Sequence, residues 1–317
     1  MTQNSFAGTP AVGQPAETYE RATFEFDTRL KPLFDQWRRS DYWQRRLLRK
    51  NIPDGPPRFL YKYHGFDGAY DRTNLYNWIV LSAFRLSRPI EFNDPFDFHG
   101  TIVAEGSKEE IAARCNSIAR NHAPRGATEE QIRRIADFLA ANIDQVIRLG
   151  QESFARVRTT TGVACFSTDH KTILLWSHYG AGHTGVCLQF DVAHALPDFS
   201  PAVTVRIVSG LKLPTINWVA TLQKDIAHVM LQKNSWWEYE RERRIIEPDQ
   251  AGKYVFFQPQ SLARIILGCR IRKADIQFVD DLLAERAARR LPPIEVYVAS
   301  PHGKLAKLVV RKRPAPT

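Results

Sequence analysis

Apolar and polar positions alternate along the chain with two different periods. Phe24, Phe26, Leu30, Leu33, Phe34 and Trp37 recur at helical spacing, and Tyr42, Trp43, Leu47 and Leu48 continue the pattern, so one or two helices are predicted over 16–50. Residues 1–15, rich in Gly, Pro, Ser, Thr and Gln, read as a disordered N-terminus. The run NIPDGPPR at 51–58 reads as a linker. Strands are then predicted at 59–63, 85–88, 162–168, 185–191, 203–207, 243–247, 254–257, 263–267, 294–299 and 305–310. Helices are predicted at 74–84, 107–121, 129–157, 215–233 and 275–289, with a shorter helix or turn at 174–179. Thr128-Glu129-Glu130-Gln131 opens the 129–157 helix as a capping box. The expected organisation is one α+β domain over 58–310 with a helical insert at 107–158, a helical extension and linker at 16–57, and a basic tail at 311–317.

Composition adds charge to this picture. The chain has 317 residues, and Lys plus Arg (44) exceed Asp plus Glu (34), for a net charge of +10. Such a surface attracts anions, nucleic acid among them. The clearest basic face is Arg38, Arg39, Arg45, Arg46, Arg49 and Lys50, interleaved with Trp37, Tyr42 and Trp43, a mixture that suits phosphate contacts and base stacking. A solvated face beside packed aromatics is the other reading. No apolar run approaches the roughly 18 residues that would span a bilayer, and the first residues do not read as a secretory signal. The four cysteines are widely separated and read as reduced thiols in a cytoplasmic protein.

Three stretches carry candidate chemistry. In Lys233–Arg244 the carboxylates of Glu238, Glu240 and Glu242 alternate, and an extended 238–246 would place all three on one face. A helix with Glu240 and Arg244 at salt-bridge spacing is the alternative. In the second stretch, a strand ending in Ser167 and Thr168 leads to Trp176, His178, Tyr179 and a loop with Gly180, Gly182 and Gly185, glycines that would allow close backbone approach to a ligand. Neither the phosphate-loop spacing nor GxGxxG is present, and neither a zinc set nor a GxSxG elbow is found. In the third, a strand would put Lys62 and His64 on one face and Tyr61 and Tyr63 on the other, and Asn93-Asp94-Pro95 reads as a turn.

Together LYKY, RPIEFNDPFDF, ACFST with LLWSHYGAGHTGVCLQFD, and K-x-x-x-W-x-x-E-x-E-x-R resemble the bacterial domain-of-unknown-function family 2971 over roughly residues 59–270. More distantly, the order Lys62 or His64, then Phe166-Ser167-Thr168, then Glu240-Arg241-Glu242 is similar to the ADP-ribosyltransferases of the Arg–Ser–Glu type. This chain has a Lys–Tyr–His run where that family carries Arg, or His with Tyr. The resemblance implies a split, bent, mixed or antiparallel sheet with inserted helices, and NAD as substrate. It implies Glu242 as the catalytic glutamate that holds the nicotinamide-side ribose, Glu240 orienting the acceptor, and Ser167 supporting Glu242. Lys62 or His64 would contact the dinucleotide, Tyr63, Trp176 or Tyr179 would stack on nicotinamide, and Thr168 and His178 would complete that surface. An effector of bacterial conflict or antiphage defence, with a nucleic-acid or protein acceptor and an antitoxin or defence partner, is the biological setting this implies. The alternatives are a non-catalytic nucleic-acid-binding protein and a metal-dependent nuclease using Glu238, Glu240, Asp94 or Asp97.

Overall fold

The computed structural model describes residues 57–314, apart from 69, 195, 200–201, 211 and 221–228. The expected disordered N-terminus, the helices over 16–50 with Arg38, Arg39, Arg45, Arg46, Arg49 and Lys50, and residues 315–317 lie outside the described residues.

The strands are β1 (Phe59–His64), β2 (Ala83–Arg85), β3 (Thr101–Val103), β4 (Gly162–Ser167), β5 (Val186–Asp191), β6 (Val203–Thr204), β7 (Arg206–Val208), β8 (Thr215–Asn217), β9 (Gln232–Asn234), β10 (Glu242–Glu247), β11 (Tyr254–Phe256), β12 (Leu262–Leu267), β13 (Glu295–Pro301) and β14 (Leu308–Lys312). Eight of them form one mixed sheet in the order β14-β13-β12-β5-β1-β4-β10-β6, and the α+β class expected from the sequence is what the described residues build. All neighbours in it are antiparallel except β12 and β13, which the helix Lys273–Ala288 joins.

Strand alternation divides the core between the two faces of this sheet. On one face Leu60, Phe166, Leu188, Phe190, Ile245 and Ile265 pack with Trp78, Phe84, Phe199 and Phe257. On the other, Tyr61, Tyr63, Cys187 and Ile266 pack with Leu175, Trp176, Ala299 and Leu308. Central β5 is buried at all six positions because both faces are covered, which is why VCLQFD is nearly continuous in apolar character. The Lys273–Ala288 helix is pinned by Arg286, buried and donating to the carbonyl oxygens of Ile79 (2.6 Å), Pro259 (2.7 Å) and Pro292 (2.7 Å).

One junction in the ladder is thin. β1 and β5 share six register pairs, whereas β1 meets β4 at Tyr61↔Ser167 alone. Past that pair the strands part. Lys62 Nζ donates across the opening to the Cys165 carbonyl oxygen at 3.0 Å, and Ser87 bridges to Val163 further along β4.

Several expectations are corrected. The predicted 129–157 helix is two helices, Glu129–Ala141 and Ile143–Thr160, broken at Asn142, which leaves helical geometry (φ −118°, ψ 34°) and donates from its side chain to the Phe138 carbonyl. With Lys108–His122 they enclose a separate core around Ile102, Cys115, Phe154, Ile216 and Trp218. The predicted 215–233 helix is not formed at its ends. Thr215–Asn217 pairs in parallel with β3, delivering Ile216 to that core, and Gln232–Asn234 pairs with β7. The 74–84 helix is a short α-helix, Asp71–Tyr76, running into a π-turn, Asn77–Leu81, which left-handed Ser82 ends. The basic tail begins inside β14, where Lys312 pairs with Glu295, and Arg313 pairs with Asp280. Charges on such an edge strand discourage further pairing. No helix among the described residues is long and apolar enough to cross a membrane.

Two glycines of the loop after Tyr179, Gly180 and Gly185, approach the protein itself. A side-chain carbon at Gly185 would overlap the His64 carbonyl oxygen, and one at Gly180 would lie 2.8 Å from the Trp176 carbonyl oxygen. Gly185→Ala is therefore expected to lower stability by about 1–3 kcal/mol or more, read as a fall in Tm. Gly303→Ala, whose added carbon meets nothing within 4 Å, is the control and should leave Tm unchanged.

Candidate functional site

The site forms where β1 and β4 part. Lys233, Glu240 and Glu242 reach it because residues 233–247 change backbone type three times. β9 ends at Asn234, whose side chain accepts from Trp236 N (3.1 Å) and so caps the 3₁₀ turn Ser235–Glu240. Arg241 is left-handed (φ 44°, ψ 48°), and β10 starts at Glu242. Residues 238–241 are thus not extended, as the alternation of charges suggested, and the helical Glu240–Arg244 pair is absent too. Glu238 remains exposed, while the reversal at Arg241 turns Glu240 and Glu242 onto one ammonium. A non-glycine residue in this conformation costs about 1–2 kcal/mol, which the contacts on either side must offset.

Those contacts are buried ion pairs. Lys233 Nζ lies 2.6 Å from Glu240 Oε2, 3.3 Å from Glu242 Oε2 and 3.5 Å from Asp97 Oδ2. The fully buried Arg244 donates Nε to Glu242 Oε1 (2.9 Å), Nη2 to Glu242 Oε2 (2.9 Å), both Nη groups to Asp97 (2.8 and 2.5 Å), and Nη1 to the Met230 carbonyl (2.8 Å). Three carboxylates face two cations, leaving one negative charge. Tyr179 donates its hydroxyl to Glu240 Oε1 (2.5 Å) and receives Asn93 Nδ2 at 3.0 Å. Ser167 Oγ donates to the Glu240 carbonyl oxygen (2.7 Å) and accepts from Asp169 N (3.0 Å), tying the end of β4 to the turn that carries Glu240.

The two glutamates differ in character. Burial alone would raise the Glu242 carboxyl, but Arg244 and then Lys233 outweigh it and hold it down at about 2. Burial raises Glu240, Lys233 opposes, and neighbouring Glu242 adds to a net rise. Burial would lower Lys233, yet Glu242, Asp97 and Glu240 hold its ammonium firmly protonated. Burial, followed by nearby Glu240, raises Tyr179, and burial, followed by Cys187, raises Tyr63, so both hydroxyls stay neutral donors.

A cavity of about 270 Å³ opens on this network, and Lys62, Tyr63, Ser167, Tyr179, Glu240 and Glu242 all line it together with Tyr61, Asn93, Asp97, Cys165 and Lys233. Six of the residues expected from the sequence thus converge. Four do not. His64 points into the core beside Trp78, buried and held neutral with its pKa lowered to about 3 by burial and then by Lys62. Trp176 is fully buried, donating Nε1 to the His170 carbonyl and edge-on to Tyr63, so its ring is spent on packing. His178 is exposed and bonded through Nδ1 to the Tyr239 hydroxyl (2.8 Å). Thr168 lies on a second cavity of about 320 Å³ with Glu238, Arg241 and Arg243, which Glu242 also borders.

Two of the three loop glycines do not open toward a ligand, since Gly180 and Gly185 pack on Trp176 and His64, while Gly182 has nothing within 4 Å of an added side-chain carbon. Asn93-Asp94-Pro95 is the turn it was read as, closed by Asp94 Oδ1 accepting from Phe96 N (2.9 Å), and it delivers Asp97 to Arg244. The sequence assigns no role to Lys233 or Tyr61 and only a helical salt bridge to Arg244, although Lys233, Glu240, Glu242 and Arg244 stand close together along the chain. Among the described residues, no group of three or more His, Cys, Asp or Glu is arranged to hold a metal ion.

The network makes two stability predictions. Lys233→Met leaves Asp97, Glu240 and Glu242 without their shared ammonium, and should cost about 3–5 kcal/mol in urea unfolding at neutral pH. Glu242 sits below its ordinary 4.5, so its ion pairs contribute stability that is complete above about pH 4.5 and is lost as pH falls through about 2. Glu242→Gln should therefore be less stable than the wild type at neutral pH by about 3 kcal/mol, and the gap should close between about pH 4.5 and 2. Parallel unfolding curves at all pH values would contradict this.

In comparisons with protein-family models, curated proteins and solved structures, the chain matches none.

Proposed function

We propose that this chain is an NAD-dependent ADP-ribosyltransferase or NAD glycohydrolase that works in the cavity between β1 and β4. The observation that carries the reading is the meeting of Lys62, Ser167 and Glu242, from three separated segments, on one cavity at the point where the sheet parts. The likeness to the Arg–Ser–Glu transferases requires such a meeting and composition alone does not. It also supports the split sheet of that family, because β1 and β4 share one register pair.

The residues suit the chemistry. Breaking the bond from ribose C1′ to the pyridinium nitrogen builds positive charge on the sugar, and a fixed anion beside it lowers the barrier. Glu242 is that anion, held ionised by Arg244 and Lys233. The bond's electron pair leaves with nicotinamide, which departs neutral. An acceptor oxygen then bonds to C1′ and gives up its proton. Glu240, whose carboxyl is raised and faces the cavity, takes that proton, and Tyr179 and Lys233 hold it in place. Lys62 presents an ammonium to a phosphate or ribose oxygen, and the pyridinium lies against the aromatic lining that Tyr63 and Tyr179 contribute.

Lys233, Arg244 and the Tyr179 hydroxyl occupy the oxygens of Asp97, Glu240 and Glu242. That argues against the reading in which Glu240 or Asp97 binds a divalent metal for nuclease chemistry. A purely nucleic-acid-binding role leaves the convergent cavity without a use.

The test is release of nicotinamide from NAD, with and without nucleic acid or lysate protein as acceptor, and transfer of label from NAD to either. Glu242→Gln should reduce release by about 10²–10³-fold while the circular dichroism spectrum stays native at neutral pH. Lys62→Ala should raise KM more than it lowers kcat. No release by the wild type, or equal release by Glu242→Gln, would overturn the proposal.

A further inference from the structure

Three features of the cavity concern which part of a substrate it recognises. The first is size. About 270 Å³ falls under the roughly 300–1,000 Å³ of pockets that enclose drug-sized ligands, so the cavity itself holds about one ring and one sugar, and the rest of a dinucleotide would lie outside it. The second is charge. Asp97, Glu240 and Glu242 outnumber Lys233 and Arg244, so the inner wall carries a net negative charge, between neutral tyrosine hydroxyls. Of the two ammoniums on the lining, Lys233 is paired with carboxylates, whereas Lys62 is bonded to a carbonyl oxygen.

The third concerns phosphate. A pyrophosphate is usually cradled by free backbone N–H groups of a glycine-rich turn. Among the described residues, the glycine-rich turn beside the cavity spends five of its amides on itself. Gly180 N donates to Leu175 O, Gly182 N to Ser177 O, His183 N to Trp176 O, Thr184 N to Ala181 O, and Gly185 N to Gly180 O, at 2.9–3.3 Å. Recognition is thereby concentrated on the cationic ring and its ribose, with one ammonium for one phosphate.

We infer that the site selects the positively charged N-ribosyl-pyridinium half of its substrate, so that nicotinamide mononucleotide is bound and cleaved as readily as NAD. This rests on the activity proposed above. With water as acceptor, the C1′–N1 bond breaks and its electron pair neutralises the pyridinium as nicotinamide leaves. The water oxygen bonds to C1′, and its proton passes to Glu240 and then to solvent. The products are nicotinamide and ribose 5-phosphate, with no change of oxidation state.

The experiment measures binding to the full chain, and nicotinamide release by it, for NAD, nicotinamide mononucleotide, its reduced form and adenosine monophosphate. Reduced mononucleotide has nearly the same shape but lacks the ring's positive charge. The mononucleotide is expected to bind and turn over within about tenfold of NAD. The reduced form should bind at least about tenfold more weakly than the oxidised form, and adenosine monophosphate should not compete. In Glu242→Gln the preference for the oxidised ring should shrink. If NAD binds and is cleaved while the mononucleotide is more than about tenfold worse, or if oxidised and reduced forms bind alike, or if adenosine monophosphate competes, this inference falls and the proposed activity stands. If neither NAD nor the mononucleotide binds, both fall together.

Discussion

The arrangement depends on one ammonium. Lys233 is where the β9 strand, the turn before β10, and the loop bearing Asp97 meet electrically. Three carboxylates gathered from two distant parts of the sequence would repel one another strongly in a low-dielectric interior. Lys233 and Arg244 make their approach tolerable, and they do so with geometry rather than charge alone. Arg244 meets both Glu242 and Asp97 with paired N–H groups, a fork that fixes the carboxylate planes. Buried ion networks of this kind contribute little net stability over a well-packed apolar core. Their presence is better explained by the position they impose on the two glutamates.

The network also separates two chemically identical side chains. Glu242 touches both cations, while Glu240 touches Lys233 and a tyrosine hydroxyl. The first is held below the ordinary carboxylate range and the second is raised above its usual value, mainly by burial. A pair of like groups driven apart by their surroundings is a common way for one site to hold both a fixed charge and a proton acceptor. The left-handed Arg241 between them is the backbone cost of placing them so.

Much of this was legible in the chain, and the failures have physical causes. Short runs rich in apolar, aromatic and β-branched residues, such as 59–64, 162–167 and 262–267, are legible as strands even though both of their faces are largely covered. Segment 215–217 misled because Thr-Ile-Asn is short and its partner, β3, lies more than a hundred residues away, so nothing local favours the strand. Glu240 and Glu242 do share one ammonium, but not through the extended backbone that their alternation suggests, since charge alternation cannot reveal a turn at Arg241. His64 and Lys62 alternate with the tyrosines as expected, but a side chain's final direction depends on what lies beyond it. Lys62 is long enough to cross the parting to Cys165, whereas His64 meets Trp78 and stays in the core. Trp176 was chosen for its aromatic face, and no sequence pattern shows that the face is already covered.

The single register pair between β1 and β4 has a mechanical consequence. Hydrogen-bonded rungs normally fix the spacing of adjacent strands, and at this line there is almost no ladder to do so. Spacing is left to the rings beneath it, where Trp78 sits edge-on to Phe166 and Phe166 edge-on to Phe190. These rings belong to the face opposite the buried ion pairs. The gauge of the opening is therefore set from behind, by the thickness of an aromatic layer whose Phe166 also reaches the cavity lining, and a change of ring size there would alter the aperture without removing any polar group from it.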